Sequence, residues 1–379
     1  MKRILAATVG SLLLAAVPAR ADKLPSTLSW TAYDVGSSGY NNAVAIGNAL
    51  KGKLGVNLRV VPGKNDISRM VPLRESKVQF SATGLAAFFA MEGVYEFGAK
   101  EWGPQETRIL LTANADSNLA LGTAKDAGIR TLKDLKGKRL AWVLGAPALN
   151  ENLTAMLAFA GLTWNDVVKV EFPGFGQSWQ GLVNGQADAA WSQTTSGPAY
   201  QLESSNRGIF WPPVPHGDKE GWARLKKIGP FFAPHVATLG AGVSKDNPHE
   251  GATYPYPILT TYVGQDAGLV YGMTKAMVDL YPDYKDGAPG ADGWALERQI
   301  LDWVVPYHAA TIRVFQEKGV WKPEHQAHND RLVARQGVLV AAWKAMEPKK
   351  GLADDAFKAE WRAARAAALT KGGFDPYWQ

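Results

Sequence analysis

The order strand, helix, strand, helix, strand occurs twice in this chain, and that repetition restricts the fold more than any single motif. In the first copy, residues 28–32 and 40–51 are followed by 57–61, 66–75 and 78–82; in the second, 139–144 and 148–160 are followed by 168–172, 177–184 and 187–191. Each copy spans roughly 60 residues and the two begin roughly 110 residues apart, which predicts two α/β lobes rather than one large sheet. The strands read as apolar on both faces, as parallel strands covered by helices do. Local signals set the boundaries. Pro147 suits a first helical turn, Gly161 and Gly185 suit left-handed C-terminal caps, and Thr163 with Asp166 forms a short capping signal.

Ligands of open parallel sheets gather beyond the C-terminal strand ends, where helices begin. Two facing lobes would bring two helix starts onto one cleft, a clamshell suited to a small anion. The first start follows Tyr33-Asp34-Val35-Gly36-Ser37-Ser38-Gly39-Tyr40-Asn41-Asn42. Such a loop aims unpaired amides and the positive end of a helix dipole at one point. It lacks the Gly-Lys-Ser/Thr of a phosphate loop and the G-x-G-x-x-G of a dinucleotide fold, so a carboxylate fits better than a nucleotide. Residues 108–113 and then 119–123 read as a crossing from lobe one to lobe two, with a return within 237–263. The expected layout is a signal peptide over 1–21, lobe I from 22–118 plus about 258–379 with a C-terminal helical extension, and lobe II from 119–257.

Lys2 and Arg3 precede an apolar stretch over 4–17, and Ala19-Arg20-Ala21 provides a small-x-small site, so the chain is expected to be exported to the periplasm and cleaved after Ala21. The stretch is short of the about 20 residues a membrane span needs, and stable membrane insertion is not expected. Without cysteine, neither a lipid anchor on that residue nor a disulfide framework is available. Losing Lys2, Arg3 and Arg20 lowers the formal charge from +6 to +3. The densest basic cluster, Lys133, Lys136, Lys138 and Arg139, has no interleaved aromatics, and it reads as a solvated face rather than a nucleic-acid site.

Candidate ligand contacts follow from the rim positions. Gly39, Tyr40 and Asn41 open the first helix, and Asn65 and Thr83 follow the next two strand ends. Asn150, Gln177, Trp179, Trp191, Gln193 and Thr194 occupy the equivalent rim of lobe two, where polar groups lie beside aromatics. The 14 tryptophans are read chiefly as core filling. His325 and His328 lack the H-E-x-x-H spacing and are read as solvated; no metal and no cofactor are implied. There is no G-x-S-x-G elbow and no cysteine nucleophile, so a catalyst is not expected.

Several of these segments resemble the TAXI-type solute receptors of TRAP transporters. The resemblance runs over roughly 26–321 and begins with Gly36–Tyr40 and the Val44-Ala45-Ile46 helix. It continues through Ile129-Arg130-Thr131-Leu132-Lys133-Asp134-Leu135-Lys136-Gly137-Lys138-Arg139 and Gly185-Gln186-Ala187-Asp188-Ala189. Its discriminating part is the His308-centred stretch from Val305-Pro306-Tyr307-His308 to Glu317-Lys318-Gly319. His308 itself is read as structural, tying its helix to lobe one. Two departures bear on the ligand. The second lobe opens its helix with Gly145-Ala146-Pro147-Ala148-Leu149-Asn150 in place of a Gly/Ser turn, and Pro147 has no amide to donate. In lobe one, Asn65 and Ser68 stand where the family has a Ser and, three residues on, an Asn.

The resemblance implies a bilobed type II periplasmic binding protein, two doubly wound α/β lobes joined by a two-segment hinge. It further implies capture of a small organic anion, a carboxylate or oxo acid, and delivery to TRAP membrane permease subunits. A receptor of an ATP-driven ABC importer shares the lobes and motifs and is the nearer alternative. A secreted hydrolase, suggested by the many tryptophans, is the alternative from another class.

Overall fold

The computed structural model describes residues 24–378, so the expected signal peptide and its cleavage after Ala21 lie outside the described residues. The chain begins with β1 (Thr27–Tyr33), α1 (Ser38–Leu54), β2 (Asn57–Gly63), α2 (Asp66–Arg74), β3 (Phe80–Thr83), α3 (Ala86–Glu92) and β4 (Thr107–Thr112). It continues with β5 (Leu119–Ala124), β6 (Arg139–Val143), α4 (Pro147–Phe159), β7 (Val168–Phe172), α5 (Phe175–Val183), β8 (Ala189–Gln193), α6 (Gly197–Ser204), β9 (Ile209–Phe210) and α7 (Lys219–Ile228). A hairpin-like pair, β10 (Ala233–Ala237) and β11 (His249–Thr253), precedes β12 (Ile258–Tyr262). The remainder is helical: α8 (Ala267–Asp279), α9 (Tyr281–Tyr284), α10 (Ala309–Glu317), α11 (Pro323–Lys344) and α12 (Asp354–Lys371).

Two five-stranded sheets result, ordered β2-β1-β3-β12-β4 and β7-β6-β8-β5-β9. The fold is the bilobed α/β architecture of type II periplasmic binding proteins. The chain leaves the first sheet after β4, enters the second at β5, and returns through β12, so two strands cross between lobes without a knot. The sheets are mixed rather than wholly parallel. β12 runs antiparallel to both β3 and β4, and β5 antiparallel to β8, because a strand arriving from the opposite lobe enters its sheet in the reverse sense. Nor are all strands covered on both faces. β2 and β7 lie at sheet edges and expose Asn57, Arg59, Lys169 and Glu171, charges and polar groups that discourage edge pairing.

The local signals act where the sequence places them. Gly161 and Gly185 adopt φ +73°, and Thr163 and Asp166 form a reciprocal capping box. α1 starts at Ser38, two residues before the expected Tyr40, because the Ser37 hydroxyl accepts the Tyr40 amide and caps the helix. α5 likewise starts at Phe175 rather than Gln177.

The C-terminal extension packs as α12 against α11 and is anchored by one buried acid. Glu92 accepts two hydrogen bonds from Arg335, at 2.6 and 2.8 Å, and a further charge-assisted bond from Arg365. Its aromatic end, Tyr377 and Trp378, packs on Phe88 of lobe I, while the Trp378 indole donates to the Ile228 carbonyl at the end of α7. His308 caps α10 by accepting the Ala310 amide, and its own amide donates to Ile109 of β4. Burial holds the His308 imidazole below its usual pKa, which keeps it a neutral structural tie.

Candidate functional site: a closed cleft between the lobes

The lobes meet along the C-terminal ends of their strands, and the first lobe supplies partners to the helix starts of the second. The Gly176 amide at the start of α5 donates to the Asp34 carboxylate at 2.9 Å, and the Phe175 amide to the Lys64 carbonyl at 2.9 Å. The Gly197 amide at the start of α6 donates to the Gly36 carbonyl at 3.0 Å. At α4 the Ala148 amide donates to Asp66 Oδ2 at 2.8 Å. In the other direction, the Asp66 and Ile67 amides donate to the Gly145 carbonyl, and Asn65 Nδ2 to the Leu144 carbonyl at 3.0 Å. Small residues make this approach possible. A Cβ on Gly197 would stand 2.6 Å from the Gly36 carbonyl oxygen, and Gly145, at φ +67°, would bring one 2.9 Å from Asn65 Nδ2.

Behind these contacts lies a cavity of about 30 Å³, on a scale where one water occupies about 10–15 Å³. Its walls come from both lobes: Ser37 and Ser38 at the start of α1, Ala148 and Leu149 at the start of α4, and aromatic rings including Tyr33, Phe175, Trp191 and Tyr254. Four buried polar atoms of its lining have no hydrogen-bond partner: Arg69 Nε, Asn152 Oδ1, Gln193 Oε1 and Ser196 Oγ. Buried polar atoms are ordinarily satisfied, so four in one cavity single it out as the candidate site.

Arg69 is the charged centre. It is fully buried, packs its guanidinium 3.5 Å from the centre of the Tyr33 ring, and donates to the Ala82 carbonyl at 2.8 Å and Asp66 Oδ1 at 2.5 Å. Burial opposes its charge, but the facing Tyr33 and Asp66 more than offset this, and its pKa is raised. Burial also pushes the Tyr256 hydroxyl up to about 12, with Arg69 acting in the opposite direction. The Tyr33 hydroxyl is raised well above its ordinary value by burial and by Asp66, to which it donates at 2.5 Å. Both phenols are therefore neutral at physiological pH. Asp66 is fully committed: Oδ1 to Tyr33 and Arg69, Oδ2 to Ala148.

The expected contacts separate on this geometry. Trp191 and Gln193 line the cavity. Gly39 and Asn65 are not among its walls: Gly39 lies against the Tyr256 hydroxyl of the lining, and Asn65 bridges the lobes to the Leu144 carbonyl. Others take different places. Tyr40 lines an outer groove with Val44, Asn48 and Lys51, because the third residue of α1 points away from the sheet's C-terminal rim. Asn41 donates to the Gly36 carbonyl and so shapes the loop. Thr83 pairs with Thr260 across β3 and β12 at 2.8 Å, and Asn150 bonds both backbone groups of Val143, tying α4 to β6. Gln177 is exposed on α5. Trp179 is core, donating to the Trp191 carbonyl and packing on Trp211. Thr194 donates to the Leu239 carbonyl and accepts the Asn118 amide at the crossing.

The helix starts are also not free for a ligand anion, contrary to the sequence expectation. Asp66 occupies that of α4, and at α1 the Ser37 hydroxyl takes the Tyr40 amide. Arg69, Asn152, Ser196, Tyr254 and Tyr256 were not legible as site residues. A charged Arg69 three residues after Asp66 in an otherwise apolar helix face was the available signal. Among the described residues no group of three or more His, Asp or Glu side chains could hold a metal ion, and no helix is long and apolar enough to cross a membrane.

Among solved structures, a periplasmic binding protein of an ABC transporter from Brucella ovis with glutathione bound is 10% identical, covering 93% of this chain and 82% of its own, at a TM-score of 0.43. An ancestral arginine-binding protein bound to arginine is 18% identical over 71% of this chain and 96% of its own, TM-score 0.42. The alkanesulfonate-binding protein SsuA from Xanthomonas axonopodis pv. citri, bound to MOPS, is 13% identical over 79% and 95%, TM-score 0.41. No curated protein matches the chain. The sequence profile of the NMT1-like family matches residues 32–319, which take in both lobes and the cavity between them, and the chain belongs to that family.

Proposed function

We propose that this protein is a solute-binding receptor that closes two lobes over a small organic anion and hands it to the membrane subunits of a transporter. The single observation that carries the reading is the fully buried Arg69, whose Nε is unpartnered inside a cavity walled by both lobes. A carboxylate there would meet a fixed guanidinium and the Ser196 hydroxyl in surroundings that exclude water. Because the walls belong to two lobes, the solute contacts its full site only in the closed form and favours that form by its differential affinity. Binding of this kind needs no covalent step.

In this reading lobe I comprises 22–118 with about 258–379, lobe II comprises 119–257, and the chain works in the periplasm after removal of 1–21. Of the sequence candidates, Trp191 and Gln193 serve as direct contacts and Gly39 and Asn65 as supports of the closed form. The resemblance of the Val305–Gly319 stretch favours a secondary TRAP-type transporter; an ATP-driven importer is the second reading. Uptake by reconstituted membrane subunits decides between them, since one requires an ion gradient and the other ATP.

The receptor reading is tested by calorimetry and thermal shift with a panel of carboxylates, oxo acids and neutral sugars. Binding at a hundredfold excess over Kd adds about 2.7 kcal/mol to stability and raises the melting point. A shift with neutral sugars and none with any anion defeats the reading. Ser196→Ala should weaken anion binding about tenfold while leaving the unliganded melting point close to the parent's.

A further inference from the structure

Gln193 gives the cavity a polarity that an anion alone does not satisfy. Its Nε2 donates to Ser117 Oγ at 2.9 Å and to the Tyr256 carbonyl at 3.3 Å. A carbonyl oxygen can only accept, so this bond fixes the orientation of the side-chain amide. Oε1 is therefore the atom left toward the cavity, unpartnered, in a side chain only 7% exposed. The cavity thus presents donors at Arg69 Nε and Ser196 Oγ and a fixed acceptor at Gln193 Oε1; the fourth unpartnered atom, Asn152 Oδ1, belongs to an amide whose orientation is not fixed, because its partner, the Tyr254 hydroxyl, can donate as well as accept. Its occupant needs acceptor atoms on one part and a hydrogen-bond donor on another.

The charge of that donor group also follows from the lining. Among the described residues no aspartate or glutamate lines the cavity, and both oxygens of the neighbouring Asp66 are already taken. An ammonium group would face no counter-charge there and would share a small volume with the Arg69 cation. A hydroxyl donates without bringing charge. The size limit excludes long chains, and the apolar side chains of Leu85, Leu119 and Leu149 offer nothing to a second carboxylate.

Building on the receptor reading, we propose that the solute is a short carboxylic acid bearing a hydroxyl group, its carboxylate on Arg69 and Ser196 and its hydroxyl donating to Gln193 Oε1. An oxo acid would set its own lone pairs against that oxygen. A plain alkanoate would leave it buried and unpaired, a mismatch that polar sites discriminate strongly.

The test is isothermal titration of the mature protein with four three-carbon acids: 2-hydroxypropanoate, 2-oxopropanoate, propanoate and alanine. The expected result is that the hydroxy acid binds about tenfold or more tightly than the other three. Gln193→Leu should bring the hydroxy acid and propanoate to equal affinity without weakening propanoate. Equal or tighter binding of the oxo acid or propanoate by the parent protein overturns the proposal, and tighter binding of alanine replaces the hydroxyl with an ammonium. If none of the four binds but longer anions do, the solute class is wrong and the receptor reading stands. If no anion of any length binds, both fall. Because the parent protein's ranking decides, a misfolded Gln193 variant would not rescue or sink the proposal.

Discussion

Asp66 of the first lobe accepts the Ala148 amide of the second at 2.8 Å, so a carboxylate of the chain itself occupies the helix start that a ligand anion would otherwise seek. The same carboxylate neutralises Arg69 and holds the Tyr33 hydroxyl. The interlobe contact and the proposed anion site thereby share one buried side chain. Asp66→Asn would leave Arg69 buried with a neutral partner. The expected cost is about 3–5 kcal/mol, together with a larger radius of gyration as the α4 contact is lost. Denaturant melts and small-angle scattering check both. An unchanged radius would show that the remaining interlobe bonds suffice for closure.

Gly197 provides a cleaner separation of closure from stability. A Cβ there meets the Gly36 carbonyl oxygen of the opposite lobe at 2.6 Å, while the residue lies in the first turn of α6, away from the lobe cores. Gly197→Val should hold the lobes apart, weaken solute binding at least tenfold, and shift the melting point by less than the Asp66 variant does. Scattering profiles that superimpose on the parent's would count against the closed geometry.

Tyr40 is expected to be neutral. Its ring lies in the groove beside Val44 and Lys51, outside the cleft, so Tyr40→Ala should leave the dissociation constant within about twofold. A loss of tenfold or more in calorimetry would return the phenol to the binding site.

Glu92 anchors the helices that follow Trp321. Both guanidinium groups on it, Arg335 and Arg365, are buried, and Arg365 is held below its ordinary pKa by that burial. Glu92→Ala would strand two buried cations at a cost of about 3–5 kcal/mol. Limited proteolysis should then release α11 and α12 before the lobes are cut. Uniform cleavage throughout the chain would argue that the extension folds as one unit with the lobes.

A pH dependence arises where Tyr95 of lobe I meets Glu151 of α4. Burial, chiefly, and the neighbouring Glu96 push the Glu151 carboxyl up to about 7, although the bond from Tyr95 favours its ionised form. Folded protein therefore holds a proton that the unfolded chain, with a carboxyl near 4.5, releases. The sign follows from linkage: this group penalises folding progressively as pH rises from 4.5 to 7, with the full penalty above 7. Glu151→Gln should raise stability at pH 8 by on the order of 1–3 kcal/mol and leave it unchanged at pH 4. Equal effects at the two pH values would place the cause in packing.

Much of the architecture was legible before any coordinates. The alternation of short apolar runs with helical segments, punctuated by Pro147, Gly161 and Gly185, marks out two lobes, since periodicity and capping are local properties. β7 was read with its observed bounds, Val168–Phe172. Strand direction was not legible, because whether a strand joins its sheet parallel or antiparallel depends on which lobe the chain is leaving. The site was only partly readable for a related reason. Trp191 and Gln193 lie in the last residues of β8, a rim position that a strand pattern marks, whereas Arg69 and Ser196 sit on segments whose orientation only packing fixes.

Sequence alone determined two α/β lobes with facing helix starts, because those features depend on neighbours along the chain. Only the tertiary structure decided what occupies those starts. Asp34, Asp66 and the Gly36 carbonyl are delivered from the other lobe, more than 80 residues away in the chain at Ala148 and farther at Gly176 and Gly197. Hydrogen bonds across that span are set by lobe closure and not by any local pattern, so the helix starts carry the chain's own groups.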